Sequence, residues 1–133
     1  MDCIFCKIAA GEIPAYKVYE SEQALAFLDI HPCAPGHTVV IPKKHSETEL
    51  DAAPEVAVGV MQAVQKASAV LKEKLGPVGF NIGWNHGRFA GQAINHWHVH
   101  IIPRNTGDGG GSMHSIVKAT GLTVEEIAKK VCL

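Results

Sequence analysis

The stretch His96-Trp97-His98-Val99-His100-Ile101-Ile102 carries the strongest signal in the chain. Successive side chains on a strand alternate between its two faces. His96, His98 and His100 are therefore expected on one face. Trp97, Val99 and Ile101 fall on the other, where they suit a core. The plain alternative is an exposed polar face that happens to use histidine. Three neighbouring imidazoles, however, repel one another when protonated and gain nothing over Thr or Lys. Two chemical uses remain. Alternating histidines can hold a catalytic metal, as in zinc hydrolases. Alternatively, one neutral imidazole is a nucleophile toward phosphorus while its neighbours position the phosphate.

Outward from this row, a Gly-rich polar connection (Asn85 to Gln92) leads back to an apolar stretch, Phe80 to Trp84, expected as a strand. Three more strands are expected at Tyr16–Glu20, Ala24–Ile30 and His37–Pro42, with Pro32, Pro35 and Gly36 turning the chain between the last two. Between the two groups lies the clearest helix. Val56, Val60, Val64, Ala67, Leu71 and Leu75 recur at spacings of three and four, Pro54 suits the first turn, and Gly76-Pro77 stops it. Asp108–Ser112 is expected as a flexible loop, and Thr123 to Glu126 has the spacing of a capping box that opens a short last helix. Strands joined mostly by turns, with one long helix inserted, predict an α+β domain with an antiparallel sheet.

Composition sets the limits. A chain of 133 residues, 47% hydrophobic and 19% charged, can bury a real core as one domain spanning 1–133. Its formal net charge of −1 argues against a nucleic-acid or anionic-membrane binder, since both require a large positive field. No segment approaches the apolar length of a spanning helix, and the N-terminal residues do not read as a secretory signal, so a cytoplasmic protein is expected. In a reducing compartment the pair Cys3-x-x-Cys6 reads as a metal or redox element before a disulfide. Eight histidines are present, seven of them between His31 and His100.

The row, together with Cys3-Ile4-Phe5-Cys6-Lys7-Ile8, Glu12 to Ala15, Ala26-Phe27-Leu28-Asp29-Ile30, Ala34-Pro35-Gly36-His37, Val40 to His45, Asn85-His86-Gly87 and Gly91-Gln92, resembles the histidine triad (HIT) superfamily of nucleotidyl hydrolases and transferases. In order and spacing it is similar to the Hint-like branch. The resemblance covers residues 3 to about 104, leaving 105–133 as a C-terminal extension. It implies a HIT-like fold: an antiparallel sheet of about five strands, one long helix and short terminal helices.

Residue by residue, the resemblance implies that His98 attacks the α-phosphorus of a purine nucleoside 5′-monophosphate derivative and becomes a nucleotidyl-histidine. A backbone carbonyl would fix its tautomer. His100 matches a donor to phosphate oxygens, and His37 a supporting position beside the active histidine. Asn85 and Gln92 match further polar contacts to the phosphate, and Gly91 would let the backbone approach it closely. Asp29 matches the acid that binds both ribose hydroxyls, although a turn acid at a strand end has the same signature. Phe5, Ile8, Phe27, Leu28 and Ile30 match the apolar walls of a base pocket, and ordinary core packing competes with that role. Ala93 departs from the pattern, because many members carry Ser or Thr there, where a hydroxyl can assist the phosphate or the leaving group. His86, beside Asn85, has no role in this set.

Zinc-bearing members of the superfamily place a structural ion on the positions of Cys3, Cys6, His45 and His96. By that resemblance His96 is a ligand, and the row divides its labour. The leading expectation is an AMP- or GMP-derivative hydrolase, phosphoramidates first, working as a homodimer. A dinucleoside polyphosphate hydrolase, a nucleotide-binding scaffold with weak activity and a metallohydrolase with zinc on the row are the rivals.

Overall fold

The structure, a computed structural model, describes residues 2–118 and 121–133. The chain runs α1 (Ile4–Ala9), β1 (Lys17–Glu20), β2 (Ala24–Leu28), β3 (Thr38–Pro42), α2 (Pro54–Leu75), β4 (Gly79–Gly83), β5 (Val99–Arg104) and α3 (Val124–Val131), with short 3₁₀ turns at Arg88–Ala90 and Met113–Ser115. The strands form one sheet in the order β1-β2-β3-β5-β4, and every neighbouring pair is antiparallel. The expected α+β fold with five antiparallel strands, one long helix and short terminal helices is therefore the fold found.

Both faces of the sheet are covered, which explains why β2 and β3 read as nearly unbroken apolar runs rather than alternating ones. On one face Ala24, Ala26, Val40, Trp97, Val99 and Ile101 pack against Val60, Ala63, Val64, Ala67 and Leu71 of α2. On the other face Leu25, Phe27, Val39 and Ile41 pack against Ile8, with Phe5 beside them. Helix α2 starts with Pro54 in its first turn and ends at Gly76, whose N–H closes the last turn on the Lys72 carbonyl and whose left-handed φ of 62° then takes the chain out of the helix. Helix α3 opens on the expected capping box, with Thr123 and Glu126 each accepting the other's main-chain N–H.

Strands β1, β3 and β4 are displaced from the sequence expectation by a single residue, and β5 runs on to Arg104, while the end of β2, the start of β5 and one loop differ for clear local reasons. Strand β2 stops at Leu28, not Ile30, because the Asp29 side chain accepts the His31 N–H at 2.8 Å and turns the chain. Strand β5 begins at Val99, not His96. Strand β3 pairs β5 only from Thr38 to Val40, so the Trp97 N–H goes instead to the Ser46 carbonyl at 2.7 Å. The alternation of faces nevertheless persists through His96–His98, since Trp97 joins the α2 core while Phe5 meets His96 and His98. The loop expected to be flexible at Asp108–Ser112 is tied down. Both Asp108 carboxylate oxygens take the Arg104 guanidinium, at 2.7 and 2.9 Å, and they also accept the N–H groups of Asn105 and Gly110.

Candidate functional site

His100 stands in the middle of the sheet, paired with Val39 of β3 on one side and Gly83 of β4 on the other. The hydrogen bonds around it and its neighbours determine which ring nitrogen carries each proton. His98 Nδ1 lies 2.7 Å from the His96 carbonyl oxygen. A carbonyl can only accept, so Nδ1 holds the hydrogen and Nε2 keeps a lone pair. The Cys33 N–H donates to His37 Nδ1 at 3.2 Å, so His37 carries its proton on Nε2. That Nε2–H points at His100 Nδ1, 2.9 Å away. His100 is thereby left with its own N–H on Nε2. The row thus presents a nucleophilic lone pair on His98 beside a hydrogen-bond donor on His100, with the two rings 5.0 Å apart.

Burial keeps the His37 and His100 rings neutral. Burial lowers the pKa of His100 to about 4, helped by the neighbouring His98 and His37 and opposed by Asp29. Burial also lowers that of His37, with Asp29 again opposing. A neutral, desolvated imidazole N–H can donate to a phosphoryl oxygen without repelling its neighbours.

His96 is turned to a different use. Its Nε2–H donates to the Pro42 carbonyl at 2.8 Å, which leaves a lone pair on Nδ1. That nitrogen faces His45 Nδ1 at 3.1 Å, Cys3 Sγ at 3.4 Å and Cys6 Sγ at 3.5 Å, while Cys6 Sγ is 3.3 Å from His45 Nδ1. The four donor atoms all lie within 4.8 Å of one another. The edges of a tetrahedral zinc site fall at about 3.3–3.8 Å for the usual bond lengths. Two sulfurs and two imidazole nitrogens converging on one point is a donor set that could hold a metal ion.

Not every expected site residue gathers at this face. Phe5 stands edge-on to His98 at 5.1 Å and to Phe27 at 5.7 Å, and Ile8 joins them, so these three form one apolar wall beside His98. Leu28, one residue past Phe27, lies with Ala26 on the α2 side by strand alternation and stands apart from that wall. Ile30 is beyond the strand and 75% exposed. Asp29 has one oxygen on the His31 N–H and the other 3.6 Å from His37 Nε2. The Gln92 side chain, expected near the phosphate, is committed to main chain. Its oxygen accepts the Gly87 N–H at 2.8 Å, and its amide nitrogen donates to the carbonyls of Glu47 at 2.7 Å and Ile94 at 3.1 Å. Ala93 is exposed on the same loop. Asn85 lines a cavity of about 630 Å³ together with Asn81, His37, His100, Trp84 and Met113, and of the two amides Asn81 is engaged by the Arg104 guanidinium at 2.6 Å. Gly91 has φ 109°, and a Cβ there would stand 3.1 Å from Asn85 Nδ2.

The HIT domain matches residues 10–107, a segment that holds the whole histidine row. The chain belongs to the HIT domain family. It is 50% identical over 129 residues to an uncharacterised HIT-like protein of Methanocaldococcus jannaschii, covering 97% of this chain and 98% of that protein. It is 41% identical to the adenosine 5′-monophosphoramidase of Schizosaccharomyces pombe, over 78% of this chain and 75% of that one. It is also 41% identical to an adenylylsulfatase of Arabidopsis thaliana, over 80% of this chain and 54% of that one. Among solved structures, a HIT family protein of Bacillus anthracis superposes with a TM-score of 0.84 at 41% identity, covering 97% of this chain and 92% of that one. A zinc-bound histidine triad protein of Mycobacterium smegmatis does so with a TM-score of 0.76 at 41% identity, over 82% and 79%.

One residue of this HIT domain escapes a reading of the sequence. Glu49 accepts the Trp84 indole N–H on Oε1 and meets His86 Nδ1 at 2.5 Å on Oε2. Burial opposes its ionisation, but the bonds from Trp84 and His86 outweigh burial and hold its carboxyl below the ordinary range. Nothing in the spacing of Glu49 within a polar connection announces these partners, which lie 35 and 37 residues away.

Proposed function

We propose that this HIT protein is a nucleotide-binding hydrolase that cleaves purine nucleoside 5′-monophosphate derivatives, phosphoramidates first, through a nucleotidyl adduct on His98. The observation that carries this reading is the tautomer of His98, whose Nδ1–H is held by the His96 carbonyl so that Nε2 is free to attack. In the first step the Nε2 lone pair forms a bond to the α-phosphorus. The phosphorus–nitrogen bond of the substrate breaks in line with it, and the departing amine takes the bonding pair and a proton from solvent. In the second step water forms the new phosphorus–oxygen bond and returns a proton to solvent, while the electron pair of the broken bond to His98 returns to Nε2. Charge developing on the phosphoryl oxygens would be met by the His100 Nε2–H and the Asn85 amide. The wall of Phe5, Ile8 and Phe27 suits a purine, and Asp29 the ribose hydroxyls. The relatives named as phosphoramidase and adenylylsulfatase support this class of substrate.

Cys3, Cys6, His45 and His96 would hold a structural zinc ion. Held there, it would tie the N-terminal helix to the end of β3 and to the segment that precedes His98, a structural role apart from bond making.

The test is to quench the protein during turnover of adenosine 5′-phosphoramidate and weigh it intact. An acid-labile AMP adduct is expected on the wild type and not on His98→Ala. An adduct or turnover retained in His98→Ala overturns the nucleophile. Specificity constants (kcat/KM) for the phosphoramidate, diadenosine polyphosphates and adenylyl sulfate then rank the leaving groups.

A further inference from the structure

Asn85 faces the cavity beside His100, and no hydrogen bond among the described residues holds its side chain. What fixes its position is the pair of residues on either side of it. Trp84 and His86 both reach across to the one carboxylate of Glu49. The Trp84 ring also stands edge-on to the buried Trp97, with centroids 5.4 Å apart, so this end of the loop is seated on the core residue between His96 and His98. Glu49 is itself held firmly in place. The Asp51 carboxylate closes its segment by accepting the Glu47 N–H at 3.1 Å and the Thr48 N–H at 2.9 Å. The carbonyls of Ser46 and Glu47 take the Trp97 N–H and the Gln92 amide, each at 2.7 Å. The segment begins directly after His45, so the candidate metal site and the Asn85 loop share one anchor.

We infer that Glu49 is a positioning residue for Asn85, clamping both of its chain neighbours so that its amide meets the phosphoryl oxygens beside His100. This rests on the function proposed above and adds to it a residue outside the histidine row. A carboxylate suits the task because it offers two acceptor oxygens to two separate donors. Glutamine can keep both contacts by another route. Its oxygen accepts from Trp84, and its N–H donates to His86 Nδ1 once that ring has moved its proton to Nε2.

The experiment is a double-mutant cycle on the full chain with adenosine 5′-phosphoramidate. Glu49→Ala is expected to lower kcat about tenfold while KM stays within about twofold, since a misplaced group costs rate more than binding. Asn85→Ala is expected to lower kcat about a hundredfold. Adding Glu49→Ala to Asn85→Ala should change kcat by less than about twofold, because the clamp then has nothing left to position. Glu49→Gln should recover most of the wild-type rate. A Glu49→Ala loss that persists in full in the Asn85→Ala background overturns the inference, as does a Glu49→Gln enzyme as slow as Glu49→Ala. If Glu49→Ala does not fold, Trp84→Phe, which removes one of the two donors, replaces it in the same cycle. If the wild type leaves the phosphoramidate untouched, that result counts against the proposed function alone. The cycle is then run on kcat with adenylyl sulfate or a diadenosine polyphosphate, where a Glu49→Ala loss that persists in full in the Asn85→Ala background overturns the coupling and its disappearance supports it.

Discussion

His98 Nδ1 lies 2.7 Å from the carbonyl oxygen of His96, two residues upstream in the same row. The relationship works in both directions. The carbonyl of one candidate metal ligand orients the proposed nucleophile, and any shift of His96 is transmitted to the His98 ring. Replacing His98 with Ala should reduce turnover of adenosine 5′-phosphoramidate by at least about 10³-fold, since the proposed nucleophile has no substitute. AMP affinity should stay within about threefold, because the base, ribose and phosphate contacts belong to other residues. Single-turnover kinetics and calorimetry separate the two quantities.

Metal removal should loosen the fold before it touches the chemistry. Cys6→Ser, or treatment with a chelator, is expected to lower the thermal midpoint by about 5–10 °C, the shift that a loss of a few kcal/mol produces in a domain of this size. Cobalt substitution should give thiolate charge-transfer absorption that Cys3→Ser weakens. Activity that vanishes on chelation with no change in the thermal midpoint would point instead to a catalytic metal on the row.

Acid should destabilise the protein across a defined window. His100 in the fold takes a proton only near pH 4, against an ordinary value of 6.5. Below pH 6.5 the unfolded chain therefore binds more protons than the folded one. Stability is complete above about 6.5 and declines as pH falls toward about 4. His37 is shifted in the same direction and adds to the slope. Denaturation midpoints at pH 7 and pH 5 should differ more for the wild type than for His100→Asn.

Gly91→Ala should damage the loop that carries Asn85 in two ways. Its φ of 109° is one that L side chains avoid, at a cost of about 1–3 kcal/mol, and the new methyl would press on Asn85 Nδ2 at 3.1 Å. We expect kcat to fall about tenfold with the fold retained, read as a small drop in thermal midpoint alongside the loss of rate.

Local patterns carried much of this molecule. The 3.6-residue period of α2, its Pro54 start and Gly76 stop, and the alternation of the histidine row depend on neighbours a few residues apart, and they appear in the structure as read. Boundaries set by partners were not legible. The ladder of β5 starts at Val99 only because β3 offers it no pairing past Val40, and the Asp108 loop is ordered only because Arg104 reaches it from β5.

The sequence by itself determined the chemistry available: which residues are imidazoles, thiols and amides, and which of them share a face of a strand. Only the tertiary structure decided what each one does. Ring tautomers on His98, His37 and His96 follow from the carbonyl or amide that the fold brings to one nitrogen. Gln92 holds its loop because the Glu47 carbonyl comes within 2.7 Å, and Glu49 gains its partners because the connection after β4 brings Trp84 and His86 to it. A side chain's type is local, whereas the hydrogen bonds that select its protonation and direction come from residues far along the chain.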